Sequence, residues 1–210
     1  SSNQDSGYAG YQLFFVADGM GGHAGGDIAS AITSQRVALT DNKYDTAEEA
    51  IETLKQGILE ANDMLSETVK EHPELEGMGT TFSGMLIHGD QIITAHIGDS
   101  RIYRVRDGEV SQITTDHTFV QRLVELGRIT PEEALVHPRR SVLMRVLGDV
   151  QVSFHYVLTD DEGQQLDSST GKDPLSYLHG AGNIIPGLES ALEGKTIGDS
   201  MSVAVEAADG

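Results

Sequence analysis

The stretch Asp18-Gly19-Met20-Gly21-Gly22-His23-Ala24-Gly25-Gly26 constrains this chain more than any other. An acid follows directly on the apolar run Tyr11–Ala17, and five of the next eight residues are glycine. The apolar run reads as a buried strand. A strand end is rigid and can hold a carboxylate in fixed geometry. Glycines let backbone approach an ion or phosphate closely and expose carbonyl oxygens, which hard divalent cations accept as ligands. The plainer reading is a glycine turn with Asp18 as the N-cap of a following helix, and the glycines alone favour it. Two further acids occupy comparable places. Asp99, in Ala95-His96-Ile97-Gly98-Asp99-Ser100-Arg101, ends an apolar strand before a polar turn, and Asp5 stands just ahead of the first strand. Singly, Asp99 reads as a hairpin acid bonding its own backbone and Asp5 as a solvated acid.

The periodicities predict an α+β chain. Asp27–Leu39 has helical spacing, and Thr46–Glu71 is a long amphipathic helix opened by a capping box at Thr46 and Glu49, with Pro73 past its end. Thr80–His88 and Gln91–Ile97 form a predicted hairpin around Gly89-Asp90; Arg101–Arg106 and Glu109–Ile113 repeat it around Asp107-Gly108. Phe119–Leu126 and Pro131–Leu135 read as helices, the second with Thr130 before Pro131. Further on, Val152–Thr159 and Ser202–Glu206 alternate as strands and Leu188–Leu192 is a short helix. The composition changes near residue 150: all nine arginines precede it and the last is Arg145. Two regions, 1–150 and 151–210, are therefore expected.

Composition removes several function classes. The absence of cysteine excludes disulfides, zinc–thiolate sites, iron–sulfur clusters and cysteine nucleophiles. A net charge of −19 makes nucleic acid and anionic lipid poor partners. No apolar run approaches a membrane span. A cysteine-free acidic chain fits a cytoplasmic location. The start, Ser-Ser-Asn-Gln-Asp, lacks an initiator methionine and does not read as a signal peptide, so the chain is expected to begin inside a longer protein.

Five ordered segments, SSNQDS (1–6), FVADGMGGHAGG (15–26), GMGTTFSGMLI (77–87), AHIGDSRIYRVRDG (95–108) and TTDHTFVQRLVELGRITPEEA (114–134), resemble the metal-dependent PPM-type serine/threonine phosphatases, the protein phosphatase 2C family, in its bacterial branch. The resemblance implies a two-sheet sandwich with helical layers, present here in part. It also implies hydrolysis of phosphoserine and phosphothreonine proteins by a water activated between two Mn²⁺ or Mg²⁺ ions, with a third, weaker ion site. By that resemblance Asp18 bridges the two ions, the Gly19 carbonyl is a ligand of one, and Asp5 holds a water of the metal shell. Asp99 is a ligand of the third ion, and His23 is the candidate general acid for the leaving alkoxide. Residues 119–145 match the flap beside the metal centre, where Arg139 and Arg140 are candidates to meet substrate phosphate. The family's phosphate-binding arginine precedes the residue that matches Ser1. Two later metal-binding aspartates of the family have no match after Val150, so this region is expected to be truncated at both ends.

The segments VSFHYVLTDDEGQQLDSS (152–169) and PLSYLHGAGNIIPGLESALEGKTIGDSMSVAVEAADG (174–210) resemble FKBP-type prolyl isomerases of the SlyD kind. That resemblance implies an antiparallel half-barrel on one short helix, cut short at its C-terminal end. Its apolar pocket would weaken the charge separation of a planar X-Pro amide and so lower its rotational barrier. Tyr156, Asp167, Ile184, Ile185 and Leu188 match pocket-lining residues; Ile184, Ile185 and Leu188 read equally well as core. Three functions stay open: a phosphatase region fused to an isomerase region, a binding-only module for apolar or proline-containing segments of unfolded clients, and an inactive chimera of two truncated domains.

Overall fold

The computed structural model describes residues 3–21, 24–148, 151–160, 162–171, 174–178, 184–192, 195–196 and 198–204. The chain divides into two compact units, Ser1–Asp149 and Val150–Gly210.

The first unit is built on a five-stranded antiparallel sheet. Strands β1 (Asp5–Ala9), β2 (Leu13–Met20), β4 (Phe82–His88) and β5 (Gln91–Ile97) lie in that order, and the short β3 (Gly79–Thr80) also pairs with β2. Strand β2 alternates strictly. Leu13, Phe15, Ala17 and Gly19 are buried, whereas Val16 and Asp18 are exposed. The apolar run is thus one-sided, not buried on both faces as its composition suggests. The buried side meets helices α1 (Gly25–Ala38) and α2 (Ala47–Glu71). Leu13, Phe15, Phe82 and Leu86 of the sheet share one core with Ala29 and Val37 of α1 and with Ala50, Leu54, Ala61 and Leu65 of α2. The buried α2 positions, Ala50, Leu54, Gly57, Ala61 and Leu65, recur every three or four residues, the stripe that makes this segment a helix. Each fully buried leucine contributes about 1.5–3 kcal/mol. The opposite sheet face carries Val16 and Ile92, 53% and 64% exposed.

Thr46 caps α2 by accepting from the Glu49 N–H at 3.1 Å, but Glu49 turns to the Asp45 N–H instead of closing the expected box. A complete capping box opens α4 (Pro131–Val136), between Thr130 and Glu133. It follows α3 (Phe119–Glu125) in the segment expected to be helical. Helix α1 starts two residues earlier than its periodicity predicts, with Ala24 and not an acid at its N-cap. Strand β1, which the periodicities miss, has no apolar run. A carboxylate at the end of α1 holds it instead. Asp41 accepts from the N–H groups of Tyr11, Gln12 and Leu13 at 2.6, 3.0 and 3.2 Å and from the Tyr8 hydroxyl at 3.0 Å. Strands β6 (Tyr103–Arg106) and β7 (Glu109–Gln112) form a separate two-stranded ribbon. Asp107 and Gly108 both take positive φ there, 53° and 82°, as a two-residue hairpin of this twist requires.

In the second unit the expected strand Val152–Thr159 is two strands with different partners. Strand β8 (Gln151–Phe154) pairs with β11 (Leu175–Leu178), and β9 (Val157–Thr159) pairs with β10 (Gln165–Ser168). The break is at His155-Tyr156, where the Tyr156 N–H donates to Ser169 Oγ at 2.8 Å and the Ser169 N–H to the Tyr156 carbonyl at 3.0 Å. Helix α5 spans Pro186–Leu192. Residues 202–204 of the expected strand Ser202–Glu206 are not in a strand, and Val205 and Glu206 lie outside the described residues. Among the described residues, no helix is long and apolar enough to cross a membrane.

Candidate metal centre

Asp18 sits at the exposed end of β2, and its backbone is held from both sides. Its N–H donates to Thr81 Oγ1 at 3.1 Å, and its carbonyl accepts from the Thr81 N–H at 2.9 Å and from Thr80 Oγ1 at 3.0 Å. The β1–β2 register places Asp5 directly opposite. The two carboxyl groups are in hydrogen-bonding contact, and the Asp18 pKa is raised. Partial burial is the largest cause, followed by the hydrogen bond to Asp5 and then the negative fields of Asp5 and Asp99. A carboxylate crowded by others keeps its proton longer, and a cation between them would relieve that repulsion.

The glycines have a packing reason. Gly19 donates its N–H to the Gln4 carbonyl at 3.2 Å. A Cβ at Gly19 would lie 2.1 Å from the Gly26 carbonyl oxygen, and one at Gly26 would lie 2.8 Å from the Gly19 carbonyl carbon. The strand end and the first turn of α1 therefore meet backbone to backbone beside the carboxylate pair. His23 lies outside the described residues.

Asp99 follows Gly98, whose φ is 105°. A Cβ at Gly98 would meet Thr81 Cγ2 at 2.6 Å. Thr81 thus touches both acid-bearing segments, bonding the Asp18 backbone and packing on Gly98. Its Oγ1 also lies 2.9 Å from Ser100 Oγ. Asp99 acts on Asp18 through its charge. Among the described residues, no three acidic or histidine side chains close into a ligand cluster. The hard oxygens of Asp5, Asp18 and the Gly19 carbonyl, with Asp18 repelled by both other acids, fit a divalent cation by donor chemistry.

A further group escaped the sequence reading. Arg101 forks onto Asp116, with Nη2 at 2.6 Å and Nε at 2.9 Å, and this pairing raises the Arg101 pKa. His117 is pushed down to about 4, by burial first and then by the charges of Arg145 and His96. Its only sequence signal was its place in the segment Thr114–Ala134. Of the flap arginines, Arg139 lies over the Phe119 ring, 4.4 Å from its centre, and Arg140 is exposed.

In the second unit the Tyr156 hydroxyl donates to Asp167 Oδ2 at 2.6 Å, which raises the tyrosine pKa. Ile184, Ile185 and Leu188 are half-buried at and just before α5. Among the described residues α5 has no extensive packing on any strand of this unit.

Comparisons with known proteins agree with the first unit. The sequence model of the protein phosphatase 2C family matches residues 1–155, and that of the FKBP-type peptidyl-prolyl cis-trans isomerases matches residues 145–210. The serine/threonine protein phosphatase PstP of Mycobacterium tuberculosis is 47% identical over 147 residues, which is 70% of this chain and 28% of that protein. The protein phosphatase PhpP of Streptococcus pneumoniae is 38% identical over 168 residues, covering 78% of this chain and 68% of that one. The chain thus spans about a quarter of the length of PstP and about two thirds of PhpP. A crystal structure of the M. tuberculosis enzyme superposes with a TM-score of 0.67 at 46% identity, over 70% of this chain and 63% of that one. A PstP catalytic domain in complex with two manganese ions superposes at 0.60 and 37% identity, over 85% of this chain and 66% of that one. With the fold, the ordered motifs and the family match all covering the same residues, the chain belongs to the protein phosphatase 2C family.

Proposed function

We propose that residues 1–150 form a phosphatase region acting on phosphoserine and phosphothreonine of proteins with Mn²⁺ or Mg²⁺, and that residues 151–210 form a separate region. The observation that carries this reading is the Asp5–Asp18 carboxyl pair with Asp99 in its field, held on a strand end against a glycine turn. The two manganese ions of the PstP catalytic domain support the choice of metal. Bound divalent ions supply Lewis-acid activation of water and neutralise phosphoryl charge. Asp18 would hold the divalent ions with its carboxylate, Gly19 with its carbonyl oxygen, and Asp5 through hydrogen bonds accepted from water around them. Asp99 would hold a third, weaker ion. His23 would deliver the proton to the leaving alkoxide, and Arg139 and Arg140 of the flap segment are the cations that could meet substrate phosphate. Phosphoproteins are the partners this reading implies, and the cysteine-free composition fits their meeting in the cytoplasm.

The test is Mn²⁺-dependent phosphate release from a phosphothreonine peptide by the full chain, with Asp18→Asn as control. Release well above that control is expected; equality with it would overturn the reading in favour of an inert fusion.

A second reading concerns the other region. The match to the prolyl isomerase family model and the Tyr156–Asp167 contact support a site that holds proline-containing or unfolded clients, with Ile184, Ile185 and Leu188 as its apolar wall. Catalysis of a proline-limited refolding reaction, compared with Leu188→Ala, checks it. A rate equal to buffer removes the isomerase, and retention of an unfolded client without turnover leaves a binding module.

A further inference from the structure

Asp99 is only as well placed as the residue before it. Gly98 has a φ of 105°, a backbone state that glycine enters and leaves at little cost, so its peptide groups rotate unless something holds them. One residue holds both polar groups of Gly98. The His117 N–H donates to the Gly98 carbonyl at 2.8 Å, and the Gly98 N–H donates to His117 Nδ1 at 3.1 Å. Acceptance at Nδ1 puts the ring proton of the neutral imidazole on Nε2.

The segment that carries His117 is anchored on both sides. Toward the Asp99 turn, Arg101 forks onto Asp116, the Ile102 N–H donates to Thr114 Oγ1 at 3.1 Å, and His96 Nε2 lies 3.1 Å from the Thr115 carbonyl. The His96 and His117 rings stand 5.0 Å apart. Away from that turn, the Met144 N–H donates to the His117 carbonyl at 2.8 Å, and the Phe119 N–H to the Val142 carbonyl at 2.9 Å. Gly98 is therefore pressed against Thr81 on one side and hydrogen-bonded by His117 on the other. Thr81 in turn holds the Asp18 backbone.

We infer that His117 is a positioning residue, whose ring acceptor holds the Ile97–Gly98 peptide while its backbone N–H holds the Gly98 carbonyl, and which so fixes the Asp99 carboxylate relative to Asp18. The inference rests on the reading of Asp18 and Asp99 as cation ligands. His117 touches neither substrate nor ion in this role; it acts through Gly98. Without the ring acceptor, the Gly98 N–H loses its partner and the Ile97–Gly98 peptide becomes free to turn, which leaves the Gly98 carbonyl, still bonded to the His117 backbone N–H, as the one tie between this residue and His117.

Two substitutions in the full chain separate this role from simple packing. His117→Leu keeps apolar bulk and removes the acceptor. His117→Asn places a carbonyl oxygen where Nδ1 stood and keeps it. Two readouts apply, neither of them catalytic: calorimetric titration with Mn²⁺ alone, and hydrogen exchange of the Gly98 amide in the metal-free chain. The expected result for His117→Leu is at least about tenfold weaker binding in the component of the titration that Asp99→Asn removes, with the Asp18-dependent component intact. Gly98 exchange should accelerate at least about tenfold, and His117→Asn should restore both. If the leucine variant does not fold, His117→Ala, which removes the acceptor without adding bulk, takes its place. Parental Gly98 exchange and parental Mn²⁺ affinity in the leucine variant, or an asparagine variant as impaired as leucine, overturns the positioning role alone. Mn²⁺ binding indifferent to both Asp18→Asn and Asp99→Asn overturns the cation reading and the positioning role with it.

Discussion

Replacing Asp18 by asparagine should make the metal-free protein more stable while removing its response to metal. The β1–β2 register holds the Asp5 and Asp18 carboxyl groups in contact, and Asp99 adds a third negative charge. Two like charges about 4 Å apart repel by about 1 kcal/mol in water, and Asp18 is exposed, so the solvent-screened end of the range applies. With Asp99 included, Asp18→Asn should gain about 1–2 kcal/mol at pH 7. For a chain of this size that is about 2–8 °C in melting temperature. The pH dependence has a definite sign. The folded pKa of Asp18 is raised, so the native state keeps its proton longer than the unfolded chain. The parent therefore loses stability as pH rises from the unfolded value of about 3.9 through the folded one. The variant lacks that loss, so the gap between them should close as pH falls toward 4. Mn²⁺ should reverse the order at pH 7. A ligand at a hundred times its dissociation constant adds about 2.7 kcal/mol to the parent, and the variant, without its bridging carboxylate, should gain little. Thermal melts of both chains at pH 7 with and without Mn²⁺, and urea melts between pH 4 and 7, measure all of this. A metal-free variant less stable than the parent by about 1 kcal/mol or more would refute the reasoning, because the pair would then be a stabilising contact and not a repulsive one.

Asp41→Ala should destabilise the first unit by about 2–4 kcal/mol in urea melts, since four donors lose a charged acceptor and the exposed Tyr11 N–H recovers water. Burial opposes ionisation of Asp41, but the bonds from Gln12, Tyr11, Tyr8 and Leu13 outweigh it and its pKa is lowered. Its contribution should therefore be complete above about pH 4 and vanish as pH falls further, through the folded value. Leu65→Ala should cost about 2–5 kcal/mol by the same measurement, because the side chain is fully buried between α2 and the sheet. Thr81→Val should cost about 1–3 kcal/mol by leaving the Asp18 N–H without its acceptor, and should weaken Mn²⁺ binding in calorimetric titration.

What was legible along the chain was local. The stripe of α2, the two-residue turns at Gly89-Asp90 and Asp107-Gly108, and the cap of α4 each follow from residues within a few positions of one another. The acid-then-glycine segment likewise marked Asp18 and Gly19 as special. The failures were of two kinds: Glu49 bonded the Asp45 N–H four residues back in place of that of Thr46, and Ser169, thirteen residues on, broke the expected strand at Tyr156 by bonding its backbone. Everything that turns the acids into a site is long-range. Strand β1 has no hydrophobic signature, and it takes its place because Asp41, some thirty residues away, gathers the turn that follows it. That pairing sets Asp5 opposite Asp18. Thr81 and His117, which hold the two acidic turns, stand 63 positions from Asp18 and 19 from Gly98. Backbone hydrogen bonds and close glycine packing between distant segments leave almost no trace in composition or periodicity, because any threonine or histidine serves once the sheet has brought it there. The sequence by itself determined the helices, the hairpins and the chemistry of the donors; only the folded sheet decided which carboxylates face one another and which neighbours keep them in place.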